Sequence, residues 1–219
     1  GIRTTMYSEY PELYMQLSKK NDFVYQPNWY KGFEYYKEAE RGYECVEDLY
    51  VPGYFEVQCK KGDEIVFTAS LSECKPSTLK TAFNEEVEKR VPRDNFYHTI
   101  IKAAHQFHNR NGEDKYLLAG YPWFKVRARD TFISLPGLTL AIDEVDYFNA
   151  IMSTAVRGLR EFMSGKPLTV KIYEVEQPDV MLWAIWSIQQ YAKKVGIEAA
   201  SKEYGDLVVD IIKYIDNNT

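Results

Sequence analysis

The chain has 219 residues, of which 45% are apolar, and a formal net charge of −5 at pH 7. This composition allows one large or two small domains with a hydrophobic core, and the acidic balance excludes a basic surface for nucleic acid. No apolar run approaches the ~20 residues that span a bilayer, so we expect no membrane segment. The three cysteines lack CxxC spacing, which favours free thiols in a reducing compartment and predicts a cytoplasmic protein.

Residues 1–76 have the apolar rhythm of β-strands. The runs LYMQL, DFVYQ, GYFEVQC and EIVFTAS alternate or cluster apolar residues over strand-like lengths. Turn residues separate these runs at 19–22, at Pro52-Gly53 and at 61–63. The intervening segment FEYYKEAERG is compatible with a short helix or an irregular loop, so we interpret this stretch as a β module.

From about residue 78 the apolar period becomes helical. A helix capped by Asp94 is predicted over NFYHTIIKAAHQFH, which ends at His108. The clearest amphipathic pattern covers 143–163. A further helix starting near Asp179 is apolar on nearly every side, so it should lie between neighbouring elements. The final helix carries its apolar stripe at Tyr204, Leu207, Val208, Ile211, Ile212 and Ile215.

Three histidines fall on the first predicted helix. His98, His105 and His108 follow one another at spacings of seven and three, so they would share a broad side of that helix. No carboxylate or cysteine nearby in the sequence completes a zinc site. We therefore predict no metal and no cofactor, and interpret the histidines as solvated or capping side chains.

The stretch AGYPWFKVRARDTFISLPGLTL, residues 119–140, places an aromatic pair and an Arg-Asp pair directly before an apolar helix. Arg129 and Asp130 can together bind hydroxyl groups in a bidentate manner. Asp130 also suits a helix N-terminus, where a carboxylate caps backbone N–H groups and interacts with the helix dipole. Local chemistry alone supports hydroxyl binding and helix capping about equally at this pair. The same two alternatives apply to Asp179 at the start of the tryptophan-rich helix.

This stretch resembles a segment of the glycogen debranching enzymes (amylo-α-1,6-glucosidases), which usually reads AGYPWFGDWGRDT-[MF]-ISLPGL. Two further stretches are similar to the same family. NWYKGFEYYKEAERGYECVEDLYVPGYFEV resembles its closing β-sandwich stretch, and QPDVMLWAIWSIQQY resembles its VDAxLWFIxAxxxY helix. The resemblance covers roughly residues 10–195, and its motifs are long and specific.

The resemblance implies an α+β fold. Residues 1–76 would be the C-terminal part of a β-sandwich, and residues 77–219 the first helices of an incomplete (α/α)6 toroid of glucoamylase-like type. Helices without their toroid neighbours would expose apolar faces, which favour association. We therefore expect self-association through the helices at 143–163 and 178–194.

The resemblance also implies a sugar-binding corner. In the wider glucoamylase-like group the Arg-Asp pair binds hydroxyls of the glucose at the cleaved bond, so Arg129 and Asp130 are expected to bind substrate. Asp179 falls on the aspartate of the family's helix motif, at the same sugar funnel. Trp123 would form a wall of that pocket.

One part of the family motif is altered. The usual GDWG reads Lys125-Val126-Arg127-Ala128 in this chain. A tryptophan whose ring should stack on sugar is thereby replaced by Arg127, and an acidic side chain by Val126. Because stacking on an aromatic face is worth about 1 kcal/mol, we expect altered sugar binding at this corner.

No catalytic residue is predicted, because the family's general acid and general base belong to motifs expected after Thr219. Hydrolysis of an α-1,6-glucosidic branch with inversion needs two carboxylates about 6.5–9.5 Å apart. The leading interpretation is a fragment or relative of a glycogen debranching enzyme, inactive as an isolated chain, with glycogen or a maltooligosaccharide as its partner. The alternative is a non-catalytic glucan-binding or interaction module.

Overall fold

The computed structural model describes residues 1–5, 7–121 and 124–218. The chain forms two compact units, Gly1–Arg90 and Val91–Thr219. Both helices and small sheets are present, which confirms the mixed α and β content of the predicted fold class. The assignment of 1–76 to a sandwich and of 77–219 to a toroid stays a prediction.

The first unit contains five strands and two α-helices among its described residues. They are β1 (Ile2–Thr4), β2 (Leu13–Leu17), β3 (Asp22–Glu34), α1 (Tyr36–Ala39), β4 (Val46–Glu56), β5 (Phe67–Ser70), a 3-10 turn (Pro76–Thr78) and α2 (Leu79–Glu88). The strands form an antiparallel sheet in the order β1-β2-β5 and a separate antiparallel pair β3-β4. Each of the four predicted strand runs contributes to a strand, and FEYYKEAERG includes the short helix α1.

The turn predicted at Pro52-Gly53 is wrong, because both residues lie inside β4. Gly53 pairs with Tyr25, and the register then shifts before Asn28. Gly53 has a φ of 153°, and a Cβ atom there would lie 2.1 Å from the carbonyl oxygen of Val24. The β3 strand therefore bulges opposite a glycine, where no side chain needs space, and the proline is tolerated at the same irregularity.

The second unit is mainly helical. Its elements are α3 (Phe96–His105), β6 (His108–Asn111), β7 (Asp114–Leu117), α4 (Ala128–Leu138), a 3-10 turn (Leu140–Ile142), α5 (Val145–Met163), α6 (Val180–Val195) and α7 (Ile197–Asn218). The amphipathic helix predicted over 143–163 is confirmed as α5, and the final predicted helix is confirmed as α7. Helix α6 packs against α4 and α7, as its apolar character predicted, although Leu182 is 58% exposed.

Asn95, rather than Asp94, caps the first helix of the second unit. The Asn95 backbone is extended, and its Oδ1 accepts the backbone N–H of His98 at 2.8 Å. The Asp94 carboxylate instead lies 2.6 Å from Nδ1 of His98, and this contact lowers the pKa of Asp94. The predicted cap is therefore wrong by one residue, because Asp and Asn cap helices about equally well and the sequence offers both in succession.

Helix α3 ends at His105, whereas the apolar pattern predicted that it would reach His108. His108 instead opens β6, which pairs with β7 in the register His108 to Leu117. The turn between these strands includes Gly112 with a φ of 61°, and Asn-Gly is a strong hairpin signal. His105 and His108 therefore belong to consecutive elements and not to one helix.

The hydrophobic core of the second unit joins α4, α5, α6 and α7. Its fully buried side chains include Phe132, Leu135, Phe148, Ile151, Met152, Leu159, Leu207 and Ile211. Phe148 stacks on Tyr191 with ring centroids 5.0 Å apart, and Tyr204 meets both rings nearly edge-on. Ala128 in the first turn of α4 and Val180 in the first turn of α6 belong to the same core. Within the described residues, no helix combines the length and apolar character needed to cross a bilayer.

Candidate functional site

The candidate site lies where the segments that precede α4 and α6 run side by side. The Tyr173 N–H donates to the Val126 carbonyl, and the Ala128 N–H donates to the Tyr173 carbonyl, both at 2.9 Å. Arg127 and Tyr173 thereby form an isolated parallel β-bridge. Val126 and Ala128 are buried on either side of it. The bridge places the N-cap residue of α4 beside the segment that leads into α6.

Arg129 and Asp179 meet across these two helix starts. Nη2 of Arg129 donates to Oδ1 of Asp179 at 2.8 Å, and the side chains are 47% and 38% exposed. The second oxygen of Asp179 accepts a hydrogen bond from Nε1 of Trp183 at 3.1 Å. The Arg129 hydrogen bond, aided by the Trp183 indole, lowers the pKa of Asp179 despite partial desolvation. Asp179 is therefore a carboxylate at neutral pH, held at both oxygens and still open to solvent.

Neither aspartate of this corner caps its helix. Asp130 lies in the first turn of α4, where Arg127 occupies the N-cap position without a capping side-chain bond. Within the described residues, no hydrogen bond or ion pair engages the Asp130 carboxylate, whereas its backbone carbonyl accepts from Oγ of Ser134. Asp179 does occupy the N-cap position of α6, but its side chain makes no capping bond. The structure therefore does not support the alternative in which the side chains of Asp130 and Asp179 cap their helices.

The residues that replace the family's GDWG motif make local contacts of their own. Nζ of Lys125 lies 4.7 Å from the ring centroid of Tyr173, and the guanidinium carbon of Arg127 lies 5.7 Å from that of Phe124. Arg127 also pairs with Glu174 at 3.6 Å. The rings of Phe124 and Tyr173 belong to residues that are about half exposed. Lys125 therefore places a positive charge against the ring of Tyr173, and Arg127 places one against the ring of Phe124.

Trp123, the predicted wall of the pocket, lies outside the described residues. Among the described residues, Trp183 contacts the corner, and the sequence pattern predicted it only as one of the apolar residues of its helix. Its ring lies 5.6 Å from that of Trp186, nearly perpendicular to it. Asp179 and Trp183 are four residues apart, a spacing that puts two side chains on the same helix face, and that spacing is the signal that could have identified the contact.

A separate polar cluster joins the end of α3 to the start of α5. Nε2 of His105 lies 2.6 Å from Oε1 of Glu144, and the His105 and His108 ring centroids are 5.4 Å apart. No carboxylate close to the histidines along the chain suggests such a cluster, since Glu144 is distant from them in sequence. Glu144 comes from the residue before α5 and is brought to the histidines by the fold.

Comparison with known protein families gives two matches. Residues 1–66 match the family model described as glycogen debranching enzyme N terminal, and residues 99–217 match the model described as amylo-alpha-1,6-glucosidase. The second match spans more than half of the chain and includes Arg129, Asp130 and Asp179. No curated protein and no solved structure gives a significant match. The family matches confirm the resemblance inferred from the sequence motifs.

Proposed function

Because the chain belongs to the amylo-alpha-1,6-glucosidase family, we propose that its second unit binds an α-glucan, such as glycogen or a maltooligosaccharide. The binding groups are Arg129, Asp130 and Asp179, with Trp123 expected to form part of the pocket wall. The observation that carries this proposal is the hydrogen-bonded series from Arg129 to Asp179 to Trp183, which is both ordered and open to solvent.

The chemistry of this corner suits sugar hydroxyls, which both donate and accept hydrogen bonds. Arg129 has five N–H donors, and its bond to Asp179 leaves others for hydroxyl oxygens. The carboxylates of Asp130 and Asp179 can accept from neighbouring hydroxyls. Trp183 holds the second oxygen of Asp179, so less side-chain freedom is lost when a sugar binds.

The same geometry supports a binding role for Asp179 and argues against a role as general acid. A general acid must be protonated at the working pH, and glycosidases achieve this by raising the pKa of the acid. The hydrogen bond from Arg129 instead lowers the pKa of Asp179. We therefore propose that this corner orients a glucose unit and that the isolated 219-residue chain binds glucan without hydrolysing its α-1,6 branch.

Lys125 and Arg127 change how a sugar would be held. Aromatic rings commonly stack on sugar faces, but Tyr173 and Phe124 already have cations against them. Hydrogen bonds from the Arg129 corner would then provide most of the affinity, with a smaller contribution from stacking. Modest affinity for a maltooligosaccharide is the expected result.

The proposal is tested by titration calorimetry of maltoheptaose into the wild-type chain and single variants. Asp179→Asn and Asp130→Ala should each weaken binding by about tenfold, as expected for lost hydrogen bonds to a charged group. Asp146→Asn is the matched control, since Asp146 lies in the first turn of α5 as Asp130 does in α4. Unchanged affinity in both test variants, or no saturable binding by the wild type, would reject a sugar site at this corner.

Glucose release from a branched limit dextrin separates binding from hydrolysis. We expect no release above that of a heat-killed control, because a carboxylate held ionised by Arg129 cannot deliver a proton to the leaving oxygen. Release that is abolished by Asp179→Asn would show that Asp179 is a catalytic acid or base and would overturn the binding-only role.

We also propose that the second unit self-associates through exposed apolar positions on its helices. Leu182 on α6, within the segment 178–194 predicted to associate, is 58% exposed, and Ile197 at the start of α7, outside the predicted segments, is 78% exposed. Contiguous apolar patches favour association when they exceed a few hundred Å². Light scattering should show a dimer or larger species in the wild type and a shift to monomer in Leu182→Glu. A monomeric wild type at high concentration would contradict this.

A further inference from the structure

We propose that His105, His108 and Glu144 form a binding site for a divalent first-row transition-metal ion such as Zn²⁺. Each residue offers one ligand atom, and these atoms all lie within 4.8 Å of one another. Two imidazoles and one carboxylate form a ligand set that suits Zn²⁺, whereas Ca²⁺ and Mg²⁺ prefer oxygen ligands alone. The site is made of different residues from the Arg129 corner and does not depend on glucan binding.

The three ligands come from three elements that meet at one point. His105 ends α3, His108 opens β6, and Glu144 is the residue before α5. All three side chains are partly exposed, so a hydrated ion can reach them. A metal ion here would join the N-terminal elements of the second unit to helix α5, which contributes seven buried residues.

The His108 ring is already oriented by its neighbours. Its Nε2 lies 3.1 Å from the Leu138 carbonyl oxygen, which can only accept, so Nε2 carries the hydrogen. In the neutral ring Nδ1 then keeps its lone pair for a metal ion. Tyr147 stacks on the same ring with centroids 4.2 Å apart. A backbone carbonyl on the far nitrogen is the usual device that fixes the tautomer of a metal-binding histidine.

Metal binding requires a small rearrangement of His105 and Glu144. Ligand atoms about 2.0–2.1 Å from a tetrahedral Zn²⁺ lie about 3.3 Å from one another. Nε2 of His105 and Oε1 of Glu144 are 2.6 Å apart, closer than that spacing, so their hydrogen bond must be replaced by two bonds to the ion. The remaining separations, up to 4.8 Å, must contract. Both changes call for side-chain rotation, for which the partial exposure of all three residues leaves freedom.

The surroundings leave room for a further ligand. A surface cleft of about 550 Å³ is lined by the three ligands and by Asp143, Asp146 and Tyr147. Asp143 is 80% exposed and forms an ion pair with Lys194. Asp146 adds a second negative charge to that of Glu144 at the cleft. Three protein ligands with an open fourth position are the arrangement that accommodates water or another small ligand on Zn²⁺.

The test is a calorimetric titration of Zn²⁺ into the metal-stripped 219-residue chain. We expect one saturable site per chain, weakened by more than about tenfold in His105→Ala, His108→Ala and Glu144→Gln, since losing a ligand costs at least as much as losing a supporting contact. His98→Ala is the matched control, because His98 also contacts a carboxylate, Asp94, but belongs to no three-ligand cluster among the described residues. Its affinity should equal that of the wild type.

Two further measurements complete the test. The three cysteines are free thiols that could bind Zn²⁺, so a chain with all three changed to serine should retain the site. In the wild type, Zn²⁺ should shift the NMR ring signals of His105 and His108 but leave those of His98 unchanged, a result that needs no variant to fold. The site would be overturned by loss of binding in the serine chain or by the absence of saturable binding in the wild type. It would also be overturned if His105→Ala and His108→Ala bound Zn²⁺ as tightly as the His98→Ala control, or if Glu144→Gln left the affinity unchanged.

Discussion

The two units of the chain differ in how much apolar surface they bury. Among the described residues of the first unit, the buried ones are Gln16, Leu17 and Leu79, while Tyr25 is 72% exposed. The second unit has a continuous core of side chains from four helices. Burial of apolar surface is the main stabilising contribution to folding. The comparison therefore predicts that the second unit is the more stable of the two.

The first unit relies on contacts between strands. Trp29 and Tyr50 form a cross-strand ring pair at 5.2 Å, and Phe23 and Phe55 form another at 5.1 Å. Such pairs contribute roughly 0.2–1 kcal/mol each, and isolated two-stranded ribbons are marginally stable in water. The contrast teaches that a similar aromatic content stabilises much less when rings meet along one sheet surface than when helices enclose them.

The largest expected effect is the difference in stability lost when a buried ring is removed and when an exposed ring is removed. Phe148→Ala should lower the free energy of unfolding by about 3–5 kcal/mol, because Phe148 is fully buried and stacked on Tyr191. Phe33→Ala in β3 should cost less than about 1 kcal/mol, since Phe33 is half exposed and contacts Tyr35. Urea unfolding followed by circular dichroism measures both. Equal losses would contradict the inferred difference in stability between the units.

An intermediate effect is expected where the second unit begins. Asn95→Ala should lower the free energy of unfolding of that unit by about 1 kcal/mol, because it removes the hydrogen bond to the His98 N–H at 2.8 Å. Asp94→Ala should cost less, since Asp94 makes no capping bond and contacts only exposed side chains. Thermal melts of the two variants check the order. A larger loss of stability for Asp94→Ala would instead support Asp94, the residue that the sequence predicted as the cap.

The smallest expected effect is a flat pH profile of glucan affinity. Arg129 holds the pKa of Asp179 below its ordinary value, so the carboxylate stays ionised as the pH falls from 7 to 5. Its contribution is present above the ordinary carboxyl pKa of about 3.9 and is lost only as the pH falls through the lowered value. Titrations at several pH values should therefore give one affinity over that range.

Arg129→Gln sharpens this measurement. Without the guanidinium the pKa of Asp179 should return toward its ordinary value, so the residual affinity should begin to fall at a higher pH than in the wild type. A steep fall in wild-type affinity between pH 7 and pH 5 would mean that a different group controls binding. That outcome would move the proposed sugar site away from Asp179.

Periodicity predicted the regular elements well and the irregular ones poorly. The i, i+3, i+4 pattern identified α5 because its apolar stripe faces the core along its whole length. Pro52-Gly53 was misread as a turn because turn residues also occur at a bulge, where the partner strand supplies the extra residue. The apolar pattern extended the predicted α3 to His108, whereas the Asn111-Gly112 hairpin turn, which the prediction did not use, places His108 in β6.

The helical pattern of the second unit, the strand pattern of the first and the family could all be predicted from the residues, because periodic burial and long motifs are visible along the chain. Only in the folded molecule does Arg129 reach Asp179, does Trp183 donate to that carboxylate, and does Glu144 complete a cluster with two histidines. Each of these contacts joins residues whose meeting depends on how the helix ends are positioned. Local propensity carries no information about such distances, whereas the packing of α4, α5 and α6 around one core specifies them.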